Sequence, residues 1–192
     1  MNIMIVGVGG QGTLLASRII GAVALKCGFD TKVSEIHGMS QRGGSVVTYV
    51  KFGDKVNSPL IEEREADYVL AFELLEAIRW KDFLKNNGKM IINDQQIDPM
   101  PVITGKEKYP ENIIDRLVSS LGNNIIVLDA LKIANECGNI KVVNIVLLGV
   151  LAQIASIDKN IWLEAINDTV PAKVLQINLN AFNRGYDHEL LG

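Results

Sequence analysis

The beginning of the chain combines a strand, a glycine-rich turn and a helix, and this order constrains the fold more than any other feature. Residues 2–8 form an apolar run of strand length, and apolar residues recur near helical spacing across residues 12–27. Gly7, Gly9 and Gly12 form a G-x-G-x-x-G pattern between them. In this pattern the glycines permit a tight turn, a close approach of phosphate, and close packing of helix on strand. The sequence therefore predicts an anion-tolerant loop after the first strand.

Strand and helix patterns alternate along the rest of the chain. The predicted strands are residues 31–36, 45–52, 68–72, 89–93 and 125–129, and the predicted helices are residues 73–83, 112–121, 130–137, 142–156, 159–168 and 172–183. Residues 94–110 carry three prolines and are predicted to form an irregular loop. The alternation predicts an α/β fold with a Rossmann-like, mostly parallel sheet and a helical C-terminal third. Since no linker pattern divides the chain, we expect one domain over residues 1–192.

The second and third predicted strands follow each other too closely for a crossover helix. Only residues 37–44 separate the two strand patterns, whereas parallel neighbours need a connection of about a dozen residues or more. We therefore expect an antiparallel edge or hairpin at this point of the sheet.

A second glycine-rich turn, HGMSQRGG, occupies residues 37–44. Ligands of such sheets gather at the carboxyl ends of the strands, so both turns are expected at one edge, where they would form two walls of one site. Arg42 has a planar guanidinium suited to carboxylate or phosphate, and Gly43 and Gly44 would let another surface come near. His37 can donate or accept near neutral pH, but the sequence offers it no partner for proton transfer.

The loop pattern alone leaves the ligand of the first turn open. A dinucleotide site normally has an acidic residue near the end of the second strand, which accepts a hydrogen bond from a ribose hydroxyl. Glu35 lies close to that place, and Asp30 is a weaker candidate. Arg42 would instead face a phosphate. NAD(P), a flavin and coenzyme A are all compatible with this chemistry, as is a glycine turn that only packs.

Charge and composition exclude several classes of site. The net charge of −3, the pI of about 5.4 and the 6% content of aromatic residues disfavour a nucleic-acid partner. Cys27 and Cys137 are too few to hold an iron–sulfur cluster, which normally needs four thiolates. Four acidic residues lie beside predicted strands without the spacing of a metal site, so we expect solvated loop ends and no metal. They are Asp67, Glu73, Asp94 and Asp129.

No segment of the sequence has the pattern of a membrane span or a signal peptide. The first ten residues lack a basic region and a cleavage site. The most apolar stretch, residues 142–157, is shorter than the roughly 20 residues that cross a bilayer. Residues 145–152 are apolar without interruption, which predicts a helix buried on every side by the domain core or by a second subunit. We expect a cytoplasmic protein without a membrane partner.

Four segments together resemble the gamma-type domain of 2-oxoacid:ferredoxin oxidoreductases. They are GVGGQG at residues 7–12, EIHGMSQRGGSVVTYVKFGD at 35–54, SPLIEEREADYVLAFELLEAIR at 58–79 and NIVLLGVLA at 144–152. The HGMSQRGG form is most similar to the small (beta) subunit of indolepyruvate:ferredoxin oxidoreductase. The likeness extends to about residue 180.

This resemblance implies a division of labour between two subunits. In the family, a large (alpha) subunit carries thiamine diphosphate and iron–sulfur clusters, decarboxylates an aryl pyruvate and passes electrons to ferredoxin, while coenzyme A takes the acyl group. The gamma-type domain packs on the thiamine-bearing part and helps to bind coenzyme A. The chain would then be an accessory subunit of an enzyme of the EC 1.2.7 type, with no catalytic residue of its own.

The resemblance also assigns candidate cofactor-binding residues to the two turns. They are Gly7, Gly9, Gly10, Gln11 and Gly12 in the first turn, and Ser40, Gln41, Arg42, Gly43 and Gly44 in the second. The first turn would offer backbone donors to a phosphate of coenzyme A or to a carboxylate at the subunit boundary. The second would lie near the active site of the large subunit, with Arg42 contacting an anion.

Two other functions remain compatible with the sequence. A stand-alone NAD(P)-dependent oxidoreductase would use the glycine pattern and Glu35, but it would normally have a crossover helix after the second strand. A purely structural assembly module would use the glycine turns only for packing. In isolation, the chain would form a homodimer through the surface that docks its partner.

Overall fold

The computed structural model contains a six-stranded sheet and describes residues 1–38 and 44–190. The strands are β1 (Asn2–Val8), β2 (Asp30–His37), β3 (Ser45–Gly53), β4 (Ala66–Ala71), β5 (Leu84–Asn93) and β6 (Ile125–Leu128). Their spatial order is β2-β3-β1-β4-β5-β6. The pairs β1–β4, β4–β5 and β5–β6 are parallel, whereas β3 runs antiparallel to both β1 and β2. This confirms the predicted mostly parallel sheet with an antiparallel hairpin at its edge.

The register of β3 brings the flanks of the two glycine turns together. Val8, at the end of β1, lies opposite Ser45, and His37, at the end of β2, lies opposite Val46. The first turn and both flanks of the second therefore lie at one edge of the sheet, as predicted. This edge also receives the chain after β4, β5 and β6, because those strands run parallel to β1.

The part of the chain that the structure describes contains eight helices, and all but the short helix Met100–Ile103 contribute buried residues to the two faces of the sheet. They are α1 (Thr13–Lys26), α2 (Leu74–Arg79), α3 (Met100–Ile103), α4 (Ile113–Leu121), α5 (Ala130–Glu136), α6 (Val143–Ile154), α7 (Lys159–Thr169) and α8 (Ala172–Tyr186). The cluster of buried residues on one face draws on α1, α5, α6, α7 and α8, and the cluster on the other face on α2 and α4. The helical C-terminal third is thus confirmed.

Three elements differ from the sequence prediction. The predicted helix 73–83 is interrupted at Trp80, where α2 gives way to the 3₁₀ turn Lys81–Phe83. The predicted loop 94–110 contains the short helix α3, which begins directly after Pro99. The strand β5 begins at Leu84, before the predicted residue 89. A Cβ at Gly88 would lie 2.8 Å from Ala66 O, so only glycine allows the close pairing that extends this polar stretch as a strand.

The apolar helix α6 is covered by the chain itself. All its residues from Val143 to Ala152 are buried, and it packs in the same cluster as α1, α5 and α8. Two glycines bring α6 and α8 into backbone contact. A Cβ at Gly149 would lie 2.2 Å from Phe182 O, and one at Gly185 would lie 2.0 Å from Val146 O. The sequence predicted that this helix is buried either by the domain core or by a second subunit, and in the structure the domain core buries it.

None of the helices in the described residues is long and apolar enough to cross a membrane.

Candidate functional site

A cavity of about 480 Å³ lies beside the first glycine turn, at the carboxyl edge of the sheet. Its walls come from this turn, the start of α1, the segment after β5, α5 and the start of α6. The lining residues are Gly10, Gln11, Gly12, Leu15, Gln95, Ile97, Leu131, Ile140, Lys141, Val143 and Asn144. Amide and ammonium groups thus share the cavity with five aliphatic side chains, a mixture typical of sites for small amphipathic ligands.

The first turn requires glycine at two of its positions. Gly10 has a φ of +99° and Gly12 a φ of +81°, a region that residues with a Cβ rarely adopt. At Gly12 a Cβ would also lie 2.6 Å from Asn144 Nδ2. The buried Asn144 donates to Gly12 O at 3.1 Å and accepts from Ile145 N at 3.0 Å. The side chain of Asn144 therefore connects the start of α6 to the last residue of the turn, directly before α1.

Gln11 turns back toward the sheet. Its Oε1 accepts from Val8 N at 2.8 Å, and its Nε2 donates to Phe72 O at 2.8 Å and to Gln95 Oε1 at 3.5 Å. Gly7 makes room for this arrangement, since a Cβ there would lie 2.8 Å from Gln11 Oε1. The amide of Gln11 thus joins the ends of β1 and β4, and its contact with a cofactor stays a prediction.

Two amide residues that sequence reasoning missed complete this polar edge. Asn93 is fully buried; its Nδ2 donates to Phe72 O at 3.2 Å and to Gln95 Oε1 at 2.9 Å, and its Oδ1 accepts from Ala130 N at 3.1 Å. Gln95 N donates to Asn93 O, and Gln95 O accepts from Leu74 N. The sequence does show polar residues directly after a buried strand, which could have drawn attention to Asn93 and Gln95. Their hydrogen-bond partners, however, lie far away in the sequence and could not be predicted.

The second turn is described at its flanks only. Ser40, Gln41, Arg42 and Gly43 lie outside the described residues. Gly44 O accepts a hydrogen bond from Gly9 N at 3.1 Å. The backbone N–H at the second glycine of the pattern is therefore used within the chain, whereas a dinucleotide site keeps the backbone at this position open to phosphate.

Glu35 does not occupy the position of a ribose-binding acid. Because β3 lies between β1 and β2, Glu35 is one strand further from the first turn than in a dinucleotide fold. Its Oε1 lies 2.8 Å from His37 Nε2, and its Oε2 accepts from Thr48 Oγ1 at 2.9 Å and Thr13 Oγ1 at 3.4 Å. Thr13 begins α1, so this carboxylate also lies near the positive end of the helix. The structure thus supplies the titratable partner for His37 that the sequence did not reveal.

Asp30 is also used within the chain. Its Oδ2 accepts from Val56 N at 2.9 Å, and Lys32 Nζ lies 3.0 Å from its Oδ1. The hydrogen bond from Val56, followed by that from Lys32, lowers the pKa of Asp30.

Two carboxylates, one at the N-cap of α2 and one in its first turn, are almost completely buried, at 1% exposure each. Glu73 caps α2 by accepting from Glu76 N at 3.0 Å, and it also accepts from Ile97 N and from the hydroxyl of Tyr109. Burial, followed by the hydrogen bond to Glu73, raises the pKa of Tyr109. The prediction that Glu73 is a solvated loop end was wrong, because the segment after β5 folds over it.

The second buried carboxylate anchors the start of β3. Glu76 accepts from Ser45 Oγ at 2.5 Å, from the guanidinium of Arg79 at 2.7 Å and from the indole of Trp80 at 3.2 Å. Each of the two carboxylates therefore accepts three hydrogen bonds from donors of its own chain. Within residues 1–38 and 44–190, no group of three potential ligands is placed to hold a metal ion.

Comparison with known proteins finds relatives over the full length of the chain. Residues 2–188 match the family described as pyruvate ferredoxin/flavodoxin oxidoreductase. The indolepyruvate oxidoreductase subunit IorB of Thermococcus kodakarensis is 39% identical over 197 aligned positions, gaps included, and the alignment covers 100% of this chain and 98% of that protein. The subunit of the same name from Pyrococcus horikoshii is 42% identical over 188 residues, with 96% and 93% covered.

A solved structure has the same fold. Pyruvate oxidoreductase subunit PORC of Thermotoga maritima superposes with a TM-score of 0.74 at 20% sequence identity, covering 98% of this chain and 96% of that one. This likeness concerns the fold alone. The family match over residues 2–188 and the two full-length relatives together confirm the resemblance drawn from the sequence: the chain belongs to the pyruvate ferredoxin/flavodoxin oxidoreductase family.

Proposed function

We propose that this chain is the accessory subunit of an indolepyruvate:ferredoxin oxidoreductase. The observation that carries the proposal is its 39% and 42% identity, over nearly the full length, to proteins named as subunits of indolepyruvate oxidoreductase. In the proposed reaction an aryl pyruvate loses carbon dioxide, and its acyl carbon bonds to the sulfur of coenzyme A. Two electrons pass to ferredoxin, and the thiol proton is released.

The chemical steps of this reaction would take place on cofactors bound by a large subunit. Thiamine diphosphate would supply the carbanion chemistry of decarboxylation there, and iron–sulfur clusters would carry the electrons. The present chain would have an accessory role, in keeping with the buried Glu73 and Glu76, which each accept three hydrogen bonds from donors of the chain itself. The complex would act in the cytoplasm, and without its partner the chain would form a homodimer.

The cavity at the first turn is the proposed contribution to coenzyme A binding. Coenzyme A carries phosphates and a long, partly apolar arm with amide groups. Lys141 is exposed at the rim, and the turn lies at the positive end of α1, so both favour an anionic group. Leu15, Ile97 and Leu131 offer an apolar wall to the arm. At about 480 Å³ the cavity would hold part of the molecule.

A stand-alone NAD(P)-dependent enzyme is less well supported. The N–H of Gly9 donates to Gly44 O, and Glu35 is held by His37, Thr48 and Thr13. Both groups that a dinucleotide would need are therefore engaged within the chain.

Reconstitution tests the proposed function. The chain and the large subunit of the same organism are purified separately and together, and indolepyruvate-dependent reduction of ferredoxin is measured with coenzyme A present. We expect activity only from the mixture. Full activity of the large subunit alone, or hydride transfer from NAD(P)H by this chain alone, would contradict the proposal.

The contribution of the cavity is tested with a charge variant. Lys141→Ala is expected to raise the KM for coenzyme A and to leave the KM for indolepyruvate unchanged. Lys132→Ala is the matched control, since Lys132 is exposed on α5 and does not line the cavity. Equal KM values for coenzyme A in both variants would remove Lys141 from the site.

A further inference from the structure

The orientation of the Gln95 side chain follows from two backbone N–H groups. Ala130 N can only donate, so the Asn93 atom that receives it is Oδ1, and Asn93 Nδ2 must point toward Gln95 at 2.9 Å. In the same way Val8 N donates to Gln11 Oε1, so Gln11 Nε2 is the atom that points toward Gln95 at 3.5 Å. Neither amide can be turned over without placing two donors against each other.

Two donors therefore converge on one atom of Gln95, which must be its oxygen. Its Nε2, on the other branch of the amide, makes no hydrogen bond within residues 1–38 and 44–190, and it is not one of the buried polar atoms, so it is open to solvent or to a ligand. The main chain of Gln95 is also held, at N by Asn93 O at 2.8 Å and at O by Leu74 N at 3.0 Å. The half-buried Gln95 lines the cavity beside the first turn. A residue that lines the cavity thus carries a donor whose hydrogen bond is not used within the described residues.

We infer that Gln95 is a specificity-determining residue of this cavity, where its Nε2 donates to a carbonyl or phosphate oxygen of the bound ligand. The inference rests on the proposed function, because it takes the cavity to hold part of coenzyme A. Lys141 attracts negative charge from the exposed rim without fixed direction, whereas Gln95 selects an acceptor at one position. A ligand that presents a donor or an apolar group there leaves the amide unsatisfied, which disfavours binding.

Two substitutions separate loss of the donor from a change in charge. Gln95→Met keeps the length of the side chain and removes Nε2; Asn93 and Gln11 then still donate to Phe72 O. Gln95→Glu keeps an oxygen for both donors but places an acceptor with negative charge at the Nε2 position. Gln96→Glu is the control, since it adds the same charge to the exposed neighbouring residue.

The experiment measures coenzyme A binding to the reconstituted complex by titration calorimetry, together with the KM values for coenzyme A and indolepyruvate. We expect the Kd and KM for coenzyme A to rise about fivefold in Gln95→Met, as for one neutral hydrogen bond, and more than tenfold in Gln95→Glu. Gln96→Glu should change them less than twofold. The KM for indolepyruvate should match that of the parent complex in all three variants. The melting temperature should match it in Gln95→Glu and Gln96→Glu, whereas Gln95→Met should melt somewhat lower because the buried Asn93 Nδ2 loses one of its two acceptors.

Three outcomes would overturn the inference while the proposed function stands. One is unchanged coenzyme A binding in both Gln95 variants. Another is a parallel rise of the KM values for coenzyme A and indolepyruvate, which indicates a general structural effect. The third is an equal effect of Gln96→Glu and Gln95→Glu, which indicates long-range charge alone. Failure of the proposed function looks different, because the parent chain would then not activate the large subunit.

Discussion

The backbone contact between α6 and α8 predicts that Gly149→Ala destabilises the chain. A Cβ at Gly149 would lie 2.2 Å from Phe182 O and 2.6 Å from Tyr186 N, closer than real Cβ contacts. The obstructing atoms belong to the backbone of α8, which has no alternative rotamer. The two helices would therefore have to separate by about 1 Å, which weakens the dispersion contacts along their whole interface.

The size of the effect follows from two opposing contributions. Overpacking of a core costs about 1–3 kcal/mol, and a backbone obstacle places this case at the upper end. Alanine is better than glycine in a helix interior by about 1 kcal/mol. The free energy of unfolding should thus fall by about 2 kcal/mol, which corresponds to a melting temperature about 4–8 °C lower for a chain of this length.

Urea unfolding followed by far-UV circular dichroism measures this difference. Gly21→Ala is the matched control, because Gly21 is buried in α1 and, among the described residues, its Cβ would meet only Val33 Cγ2, at an ordinary contact distance of 3.9 Å. That variant should be as stable as the parent or up to about 1 kcal/mol more stable. Equal midpoints and slopes for Gly149→Ala and Gly21→Ala would refute the argument from close helix contact.

Three further substitutions test other contacts. Asn144→Ala should lower the free energy of unfolding by about 1–3 kcal/mol, because the buried Ile145 N loses its acceptor and Gly12 O keeps only one of its two donors, Ala16 N; urea unfolding would show no change if the contacts were unimportant. Glu76→Gln should cost about 1–3 kcal/mol through loss of charge-assisted hydrogen bonds, and a melting temperature equal to that of the parent would contradict this. Asp168→Asn tests a pH dependence of stability. Hydrogen bonding to Lys26 lowers the pKa of Asp168 in the folded chain. This ion pair therefore stabilises the folded state at pH values above the ordinary Asp pKa, and the stabilisation is lost as the pH falls through the folded-state pKa. The melting temperatures of parent and variant should therefore differ at pH 7 and converge in acid, and a constant difference would argue against the ion pair.

Much of the fold could be predicted from local patterns. The strand β1, the helix α1 and the hairpin of β2 and β3 follow from apolar periodicity and from the short connection between two strand patterns. The start of β5 could not be predicted, because its polar residues form a strand only where Gly88 permits close pairing with Ala66. Local propensity contains no information about such a neighbour.

The candidate site was predictable in its position but not in its side chains. The glycine pattern located the edge of the sheet and the turn correctly. Gln11 was the obvious polar candidate, yet its contact with Gln95 joins residues 84 positions apart. Glu73 likewise owes its burial to Tyr109, which lies 36 positions further along the chain. Which of several amides faces a cavity is decided by such long-range hydrogen bonds, and one sequence does not reveal them.

The backbone contact between α6 and α8 limits how far the chain can be truncated at its C-terminal end. Because residues 145–152 of α6 are apolar and buried, this part of the helix has no polar face for water to solvate. A truncation before residue 172 would remove α8 and leave a broad hydrophobic surface on the remaining protein. Such a fragment would aggregate or recruit a foreign protein, so a soluble form of this subunit must keep its last helix.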